Sequence, residues 1–482
     1  MRSVARAGGV CAVLALGLAF VPALSAQADP SRPSDAIACD VEALKDAIEA
    51  ANAAGGGTIR LAPRCTYTLT VVDNNGPSGE PNGLPLITTP ITLKGGKYTV
   101  IERSAAAPQF RIFEVTGPAG ALTLDGTGRG KGRGDGWSAA SVLGNSVLSG
   151  IDRDRDRDRD RDRDDRECRT GSGLTVRGGS TTNDGGAVFV DDNRSLTLKC
   201  TTLTGNTAED DGGAVYAENG ATVTATSSHV DRNASGSDGG GILALGGSVS
   251  LARSSANGNV SGRNGGGISV VGDSLSLTDS TVNDNVSGLA GGGINGLVDS
   301  LSLTRSSVND NVSGSFGGGI NGIVDDLSLT RSSVNGNTAD RDGGGINVIG
   351  GSVSLARSSV NGNTADRDGG GVFALGGSVS ITRSSVNDNT SDRDGGGILR
   401  DGDMTLRDSR VSGNTAVDQG GGLYQDDGTA TLTDSKVTRN EAADGGGIFE
   451  EPGGTVILDQ TRVVRNSPNN CAPPGAVPGC TG

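Results

Sequence analysis

Aspartates that precede glycine at a regular spacing are the residues of this chain best suited to bind a cation. An early set consists of Asp184, Asp211 and Asp238. A later set, the weak candidate for a calcium site, consists of Asp342, Asp368 and Asp394. On successive coils of a stack such carboxylates lie about 4.8 Å apart and repel by roughly 1 kcal/mol in water. Each member of the later set directly follows an arginine that can neutralise it. We therefore predict no bound metal and no cofactor, and calcium is the one ion that the pattern leaves open.

Groups that could cleave a polysaccharide are the second kind of candidate. Lyases and glycoside hydrolases need two or three carboxylates that converge, or a cation bound by carboxylates beside an arginine base. The acids of this chain recur along columns instead. The only histidine, His229, occupies a position where other repeats carry Ser or Thr. We predict no catalytic residue, and a polysaccharide lyase or glycoside hydrolase is the alternative function.

A row of aromatic and amide side chains is the third candidate. Each member follows the branched aliphatic residue of a glycine-rich motif, so alternation along a strand directs it outward. The candidate ligand contacts in this outer row are Phe189, Tyr216, Asn295, Asn321, Asn347, Phe373, Tyr424 and Phe449. The row contains five of the twelve aromatic residues of the chain. We predict that the outer row is exposed and binds a polymer along its length; the alternative is that another segment covers it.

All these residues belong to a repeat that returns every 25–27 residues between residues 184 and 448. Each repeat contains two or three glycines, a branched aliphatic residue and short stretches of alternating apolar residues, such as Val353 and Leu355. This alternation predicts strands, and a unit so small buries its apolar face only by stacking on copies of itself. The sequence thus predicts an all-β fold, a parallel β-helix with about 26 residues per coil. We expect it to be right-handed, because parallel crossovers almost always are.

Two polar columns keep the register of this repeat. The predicted asparagine ladder is Asn206, Asn233, Asn259, Asn285, Asn311, Asn337, Asn363, Asn389, Asn414, Asn440 and Asn466. The serine column is Ser254, Ser280, Ser306, Ser332, Ser358, Ser384, Ser409 and Ser435. An amide both donates and accepts, so stacked asparagines can hydrogen-bond along the axis. We expect both columns to be structural.

The start of the repeat region carries a more specific pattern. Residues 40–54 have helical apolar spacing, Gly55–Gly57 end the helix, and residues 58–61 have the character of a strand. The run from Ala43 to Pro63, together with Tyr67, resembles the N-terminal cap of pectin-lyase-like β-helix proteins. The glycine motif, paired with Val-x-x-Asn as at 334–337, resembles the polymorphic outer-membrane-protein repeat. These resemblances span about residues 40–466 and imply the fold more than the activity, because that superfamily contains lyases, hydrolases, adhesins and inert shafts.

Residues 1–28 are predicted to be a secretory signal peptide. They contain two arginines, an apolar run and small residues before a cleavage site after Ala28. Their removal changes the net charge from −15 to −17, since no acid is lost with the two arginines. Such an acidic chain is not expected to bind nucleic acid. The apolar run is too short for a good membrane span, so we predict a secreted protein that does not cross a membrane.

The remaining six cysteines are an even number, as is typical of disulfides in exported proteins. We predict the pairs Cys39–Cys65, Cys168–Cys200 and Cys471–Cys480, although six cysteines allow 15 pairings. The predicted segments are a cap at 29–64, irregular opening coils at 65–150, an Asp-Arg insertion at 151–167, regular repeats at 168–466 and a disulfide cap at 467–482. The predicted function is a structural or adhesive shaft that binds cell-surface or wall polysaccharide or itself.

Overall fold

The computed structural model describes residues 36–96, 98–128, 168 and 173–481. The predicted signal peptide and the Asp-Arg insertion at 151–167 lie outside the described residues. Within the described parts the chain is a parallel β-helix with one α-helix near its N-terminus, Val41–Ala53. No helix in these parts is long and apolar enough to span a membrane.

The coils stack into three faces of parallel strands, which we call faces A, B and C. Face A has 22 strands. They are Gly57–Arg60, Pro90–Gly96, Phe113–Val115, Ala121–Gly128, Val188–Val190, Ser195–Lys199, Val215–Ala217, Thr222–Thr226, Ile242–Leu245, Ser248–Ala252, Ile268–Thr278, Ile294–Thr304, Ile320–Thr330, Ile346–Ile349, Ser352–Ala356, Val372–Thr382, Ile398–Arg407, Leu423–Gln425, Gly428–Thr433, Ile448–Glu450, Gly454–Asp459 and Cys471–Ala472. In several coils one long strand spans the whole of face A, and in others a short break divides it.

Face B consists of a 5-stranded and a 6-stranded sheet. Its strands are Thr66–Leu69, Thr99–Arg103, Leu174–Arg177, Thr201–Thr204, His229–Asp231, Ser333–Asn335, Ser359–Asn361, Ser385–Asn387, Arg410–Ser412, Lys436–Thr438 and Arg462–Val464. Single bridges through Ser255, Thr281 and Ser307 join the two sheets. Face C has ten strands of two residues each. They are Ser180–Thr181, Thr207–Ala208, Ala234–Ser235, Val260–Ser261, Val286–Ser287, Val312–Ser313, Thr338–Ala339, Thr364–Ala365, Thr390–Ser391 and Thr415–Ala416.

The core is a narrow column of aliphatic side chains that the alternation of the strands directs inward. The residue after each glycine motif is fully buried, as in Ile294, Ile320 and Ile346. Each pairs in register with its counterpart one coil away. Because every coil supplies the same few apolar positions, the stack needs few aromatic residues to fill its interior.

Three corners connect the faces. The serine corner joins A to B, the asparagine corner joins B to C, and the glycine corner joins C back to A. At the asparagine corner each side-chain amide donates to the next ladder oxygen, for example from Asn337 to Asn363 at 2.9 Å. At the serine corner each backbone N–H donates to the next serine hydroxyl, for example from Ser332 to Ser358 at 3.1 Å. Both predicted columns therefore hydrogen-bond one coil to the next, deep in the protein.

The two ends are closed differently. The helix Val41–Ala53 begins at Asp40, whose carboxylate accepts a hydrogen bond from the N–H of Ala43 at 3.1 Å. Its buried face, Leu44 and Ile48, covers the first strand of face A, whose edge would otherwise be open. At the other end, Cys471–Ala472 pairs with the last full coil of face A.

The three disulfides join Cys39 to Cys65, Cys168 to Cys200 and Cys471 to Cys480, as predicted. One antiparallel pair, Asn74–Asn75 with Pro81–Asn82, was not predicted. It lies in the opening coils.

Candidate functional site

The predicted outer row is a continuous column on face A. The register pairs Phe189 with Tyr216, then passes through Asn295, Asn321 and Asn347. It does not form the exposed surface that the sequence predicted. Phe189, Tyr216, Asn347 and Phe449 are buried, with exposures of 6%, 8%, 3% and 5%. The expectation of exposure is therefore wrong for these four, while Asn295, Asn321, Phe373 and Tyr424 are partly exposed.

The glycine corner is one reason for this burial. Its backbone folds back against the outer row, so close that a Cβ on Gly369 or Gly420 would lie 2.7 Å from the Cβ of Phe373 or Tyr424. Glycine is needed at these positions for that approach, and each has a positive φ as well.

Neighbouring groups complete the cover at both ends of the row. Arg111, from the opening coils, places its guanidinium 4.6 Å from the centre of the Phe189 ring. Phe189 also stacks on Tyr216 at 5.3 Å, and Tyr424 stacks on Phe449 at 5.4 Å. The hydroxyl of Tyr424 donates to Glu451 at 2.6 Å. The aromatic ends of the row are thus engaged with the protein itself.

The amides in the middle of the row bond to each other. Asn321 donates to Asn295 at 2.8 Å, and Asn347 donates to Asn321 at 2.7 Å. Each of these bonds uses one N–H of the donating amide, and together they hold the three asparagines in a row.

The later aspartate set lies in the glycine corner and is satisfied by the chain. The N–H groups of Asp368 and Asp394 donate to the preceding aspartates, at 3.4 and 3.2 Å. Arg367 lies 3.6 Å from Asp342, and Arg393 lies 3.6 Å from Asp368. Burial raises the pKa of Asp342 and Asp394 above the usual range.

Carboxylates that converge within 4.8 Å occur elsewhere in the described parts of the chain. One group is Asp184, Asp210 and Asp211, and the other is Asp191, Asp192 and Glu218. Burial, helped by the like charges of Asp210 and Asp184, raises the pKa of Asp211 to about 6. Asp184 and Asp211 were among the sequence candidates for a cation, whereas the contribution of Asp210 was missed.

His229 lies on face B, half exposed, with Nδ1 2.7 Å from the hydroxyl of Ser255. That hydroxyl also donates to Asp231 at 2.9 Å. Other coils place a comparable contact at the same position, as between Ser333 and Asn309. The histidine therefore belongs to a structural row of outer polar contacts, which sequence reasoning had not identified.

An open groove of about 920 Å³ lies along the serine corner. It crosses seven coils, and its walls contain six basic and three acidic side chains. Its central column is Arg305, Arg331, Arg357 and Arg383. All four arginines are exposed, and they stand at the spacing of one coil, about 4.8 Å. We call this feature the arginine groove.

The backbone at these arginines is left-handed, with φ between 50° and 54°. A residue with a Cβ loses roughly 1 kcal/mol in this conformation, which glycine and asparagine adopt more easily. The equivalent left-handed position of the asparagine corner is glycine in Gly205, Gly258, Gly336, Gly362 and Gly413. At the serine corner, none of the corresponding left-handed positions from residue 200 to residue 460 is a glycine. Arginine is therefore not the residue that the corner conformation alone would favour.

The floor of the arginine groove is a row of hydroxyls. Ser333 and Ser359 are partly exposed and donate to Asn309 and Asn335 at 3.3 Å. Each oxygen retains the capacity to accept a further hydrogen bond. The sequence contained a signal for the groove, since each arginine directly precedes a residue of the predicted serine column. The exposure of these arginines could not be predicted from their spacing.

Comparison with known proteins agrees with the repeat. Residues 201–218 match the Chlamydia polymorphic membrane protein (Chlamydia_PMP) repeat, which confirms the resemblance of the repeat motif. No curated protein sequence matches the chain.

The solved structures similar to it include a catalytic domain and an epimerase module. The Agl-KA catalytic domain is 12% identical, with a TM-score of 0.41, over 89% of this chain and 69% of that one. The A-module of the mannuronan C-5 epimerase AlgE4 from Azotobacter vinelandii is 15% identical, with a TM-score of 0.37, over 89% and 93%.

Proposed function

We propose that this protein is an exported β-helix shaft that attaches lengthwise to a polysaccharide through the arginine groove. The observation that carries the proposal is the continuity of the groove over seven coils. A linear polymer that lies along the axis meets the same side chains once per coil, at about 4.8 Å, which is close to the span of a sugar ring. Repetition of one weak contact then gives binding without a deep pocket.

The chemistry of the groove suits sugars. Serine hydroxyls such as those of Ser333 and Ser359 can accept hydrogen bonds from sugar hydroxyls, and the arginines above them can donate. The ladders beneath hold these side chains at fixed spacing, because the serine corner is hydrogen-bonded from coil to coil. A rigid row of donors and acceptors binds an extended polymer with little loss of conformational freedom in the protein.

A footprinting experiment tests the proposal. The secreted form, residues 29–482, is mixed with a panel of soluble cell-wall polysaccharides and treated with phenylglyoxal, which modifies exposed arginines. We expect a bound polymer to protect Arg331 and Arg357 from modification. Arg232 and Arg439, which are exposed on the asparagine corner with a similar left-handed backbone, serve as internal controls and should remain reactive. Binding without protection of the groove, or no binding to any polymer, contradicts the proposal.

Polysaccharide cleavage is the second candidate, and the carboxylates at Asp184, Asp210 and Asp211 favour it. A carboxyl group with a pKa of about 6 beside other carboxyl groups can act as a general acid near neutral pH. The same incubations distinguish the two functions, because cleavage releases new reducing ends or unsaturated products. Release that disappears in Asp211→Asn would favour the enzyme, and intact polymer would favour the shaft.

A further inference from the structure

In the column of four arginines along the groove, the charges of the outer two are neutralised and those of the inner two are open. At one end, Arg305 makes two hydrogen bonds to Asp279, at 2.6 and 2.7 Å. At the other end, Arg383 lies 3.8 Å from Asp408. Among the described residues, no carboxylate lies within ion-pair distance of Arg331 or Arg357. Two exposed guanidinium groups on neighbouring coils thus face the groove without a counter-charge from the protein.

This centre is unusual because the whole chain is acidic, with a net charge of −15. Nearby acids are available in the fold, and the glycine corner pairs its own arginines with them, as in Arg367 with Asp342. Two like charges held one coil apart repel each other, and an anion between them removes that repulsion. Guanidinium groups also match carboxylate and sulfate oxygens with two parallel hydrogen bonds.

The rest of the lining indicates which anion fits. Partly exposed hydroxyls at Ser307, Ser333, Ser359 and Ser385 form one column beside the arginines. None of the lining residues is aromatic, so the groove offers no surface on which nucleobases could stack. A polymer with both hydroxyls and acidic groups satisfies the two kinds of side chain at once.

We propose that Arg331 and Arg357 form a subsite for the acidic groups of a linear acidic polysaccharide. The inference rests on the proposed function. It adds that the polymer is acidic and that Arg331 and Arg357 bind its acidic groups. The outer parts of the groove bind the polysaccharide through hydroxyl contacts. The two central arginines favour polysaccharides that carry acidic groups. One acidic group per coil, or one every second coil, meets this subsite in register.

The test compares one polymer in two charge states. Polygalacturonate and its fully methyl-esterified form share a backbone and differ in charge, so their affinities isolate the effect of the acid. The variant is Arg331→Gln with Arg357→Gln, because Gln460 already occupies the same corner position with a φ of 48°. The matched control is Arg232→Gln with Arg439→Gln, which removes the same charge from the asparagine corner.

We expect the secreted protein to bind polygalacturonate at least about tenfold more tightly than the ester, corresponding to roughly 1.4 kcal/mol. The groove variant should lose most of this difference, and the corner control should keep it. The preference should also weaken as salt is added, since exposed charges are screened.

The outcomes separate the two proposals. Equal affinity for acid and ester, with the groove still protected in the footprint, overturns the acidic subsite and leaves the lengthwise attachment standing. Failure to bind either polymer, or any other in the panel, overturns both. Equal or tighter binding of double-stranded DNA by the same arginines would show a general anion surface and would overturn the assignment to a polysaccharide.

Discussion

The glycine corner and the serine corner both carry a column of charged residues at the spacing of one coil, yet they use the charge in different ways. At the glycine corner, aspartates such as Asp368 accept hydrogen bonds from backbone N–H groups and lie beside arginines of the same corner. At the serine corner, Arg331 and Arg357 project into solvent without an ion pair among the described residues. The same repeat therefore provides one charged column that is satisfied internally and one that is available to a partner.

This difference explains why spacing alone was a poor guide to the site. A column in register reports only that the side chain recurs at one place in the coil. Whether that side chain stabilises the stack or meets a ligand depends on what packs over it, which is decided by other parts of the chain.

The largest expected effect is a loss of stability at the glycine corner. Asp368→Ala removes the acceptor of the Asp394 N–H, leaves Arg393 without its partner and takes away one of the two carboxylates beside Arg367, so we expect the free energy of unfolding to fall by about 2 kcal/mol. Urea denaturation of the secreted form measures it. The exposed neighbour provides the control, since Asp366→Ala should change the midpoint little. Equal effects for the two variants would contradict a stabilising role for the contacts of Asp368.

A smaller effect concerns the pH dependence of the early aspartates. Asp211 has a pKa of about 6, raised by burial above its usual 3.8, so the folded state holds this proton more tightly than the unfolded state does. Its contribution to stability is complete below about pH 4 and is lost as the pH rises through 6. We expect Asp211→Asn to flatten this slope and, after allowance for solvent screening, to stabilise the protein at pH 7 by about 1 kcal/mol. Thermal unfolding across pH 4–8 measures the slope, and Asp192→Asn should retain it.

The serine corner should show almost no change in stability. Arg331→Gln and Arg357→Gln alter exposed side chains without ion partners among the described residues, so we expect changes in the free energy of unfolding within about 0.5 kcal/mol. The same urea experiment compares them with Asp368→Ala. A loss as large as that of the glycine corner would mean that these arginines support the stack and would weaken the argument for an open binding column.

Calcium should have the smallest effect of all. The aspartates at 342, 368 and 394 already have backbone donors or arginine partners, so we expect saturating calcium to stabilise residues 29–482 by less than about 0.5 kcal/mol. The melting temperature is measured with calcium and then with chelator. A reversible rise that grows with calcium concentration would contradict this expectation, and its loss in Asp184→Asn would assign the ion to the early cluster instead.

The fold was largely predictable from the sequence, and the reason is its repetition. The recurring glycine motif fixed the coil length, and the asparagine and serine columns fixed the register, so Asn337 and Ser332 lie where their spacing placed them. Each contact in such a stack is between neighbouring coils, so the information needed to predict it is contained in adjacent repeats.

The candidate site was predicted less well, because it depends on contacts outside the repeat. The burial of Phe189 requires Arg111 from the irregular opening coils, and nothing in the repeat specifies that contact. The burial of Phe449 results from the close approach of a corner backbone, which is visible only in three dimensions. The arginine column was present in the sequence, but its significance came from exposure and from the absence of acidic partners in the described structure.

Lengthwise attachment is tested most directly by the dependence of affinity on polymer length. Oligogalacturonates of two to ten sugars are titrated against the secreted protein at low salt, with Arg331→Gln plus Arg357→Gln as the matched variant. Because the groove crosses seven coils, we predict that affinity rises with each sugar up to about seven and then levels off, with a shallower rise in the variant. An affinity that is already complete at two or three sugars, or that is unchanged in the variant, would contradict attachment along the groove.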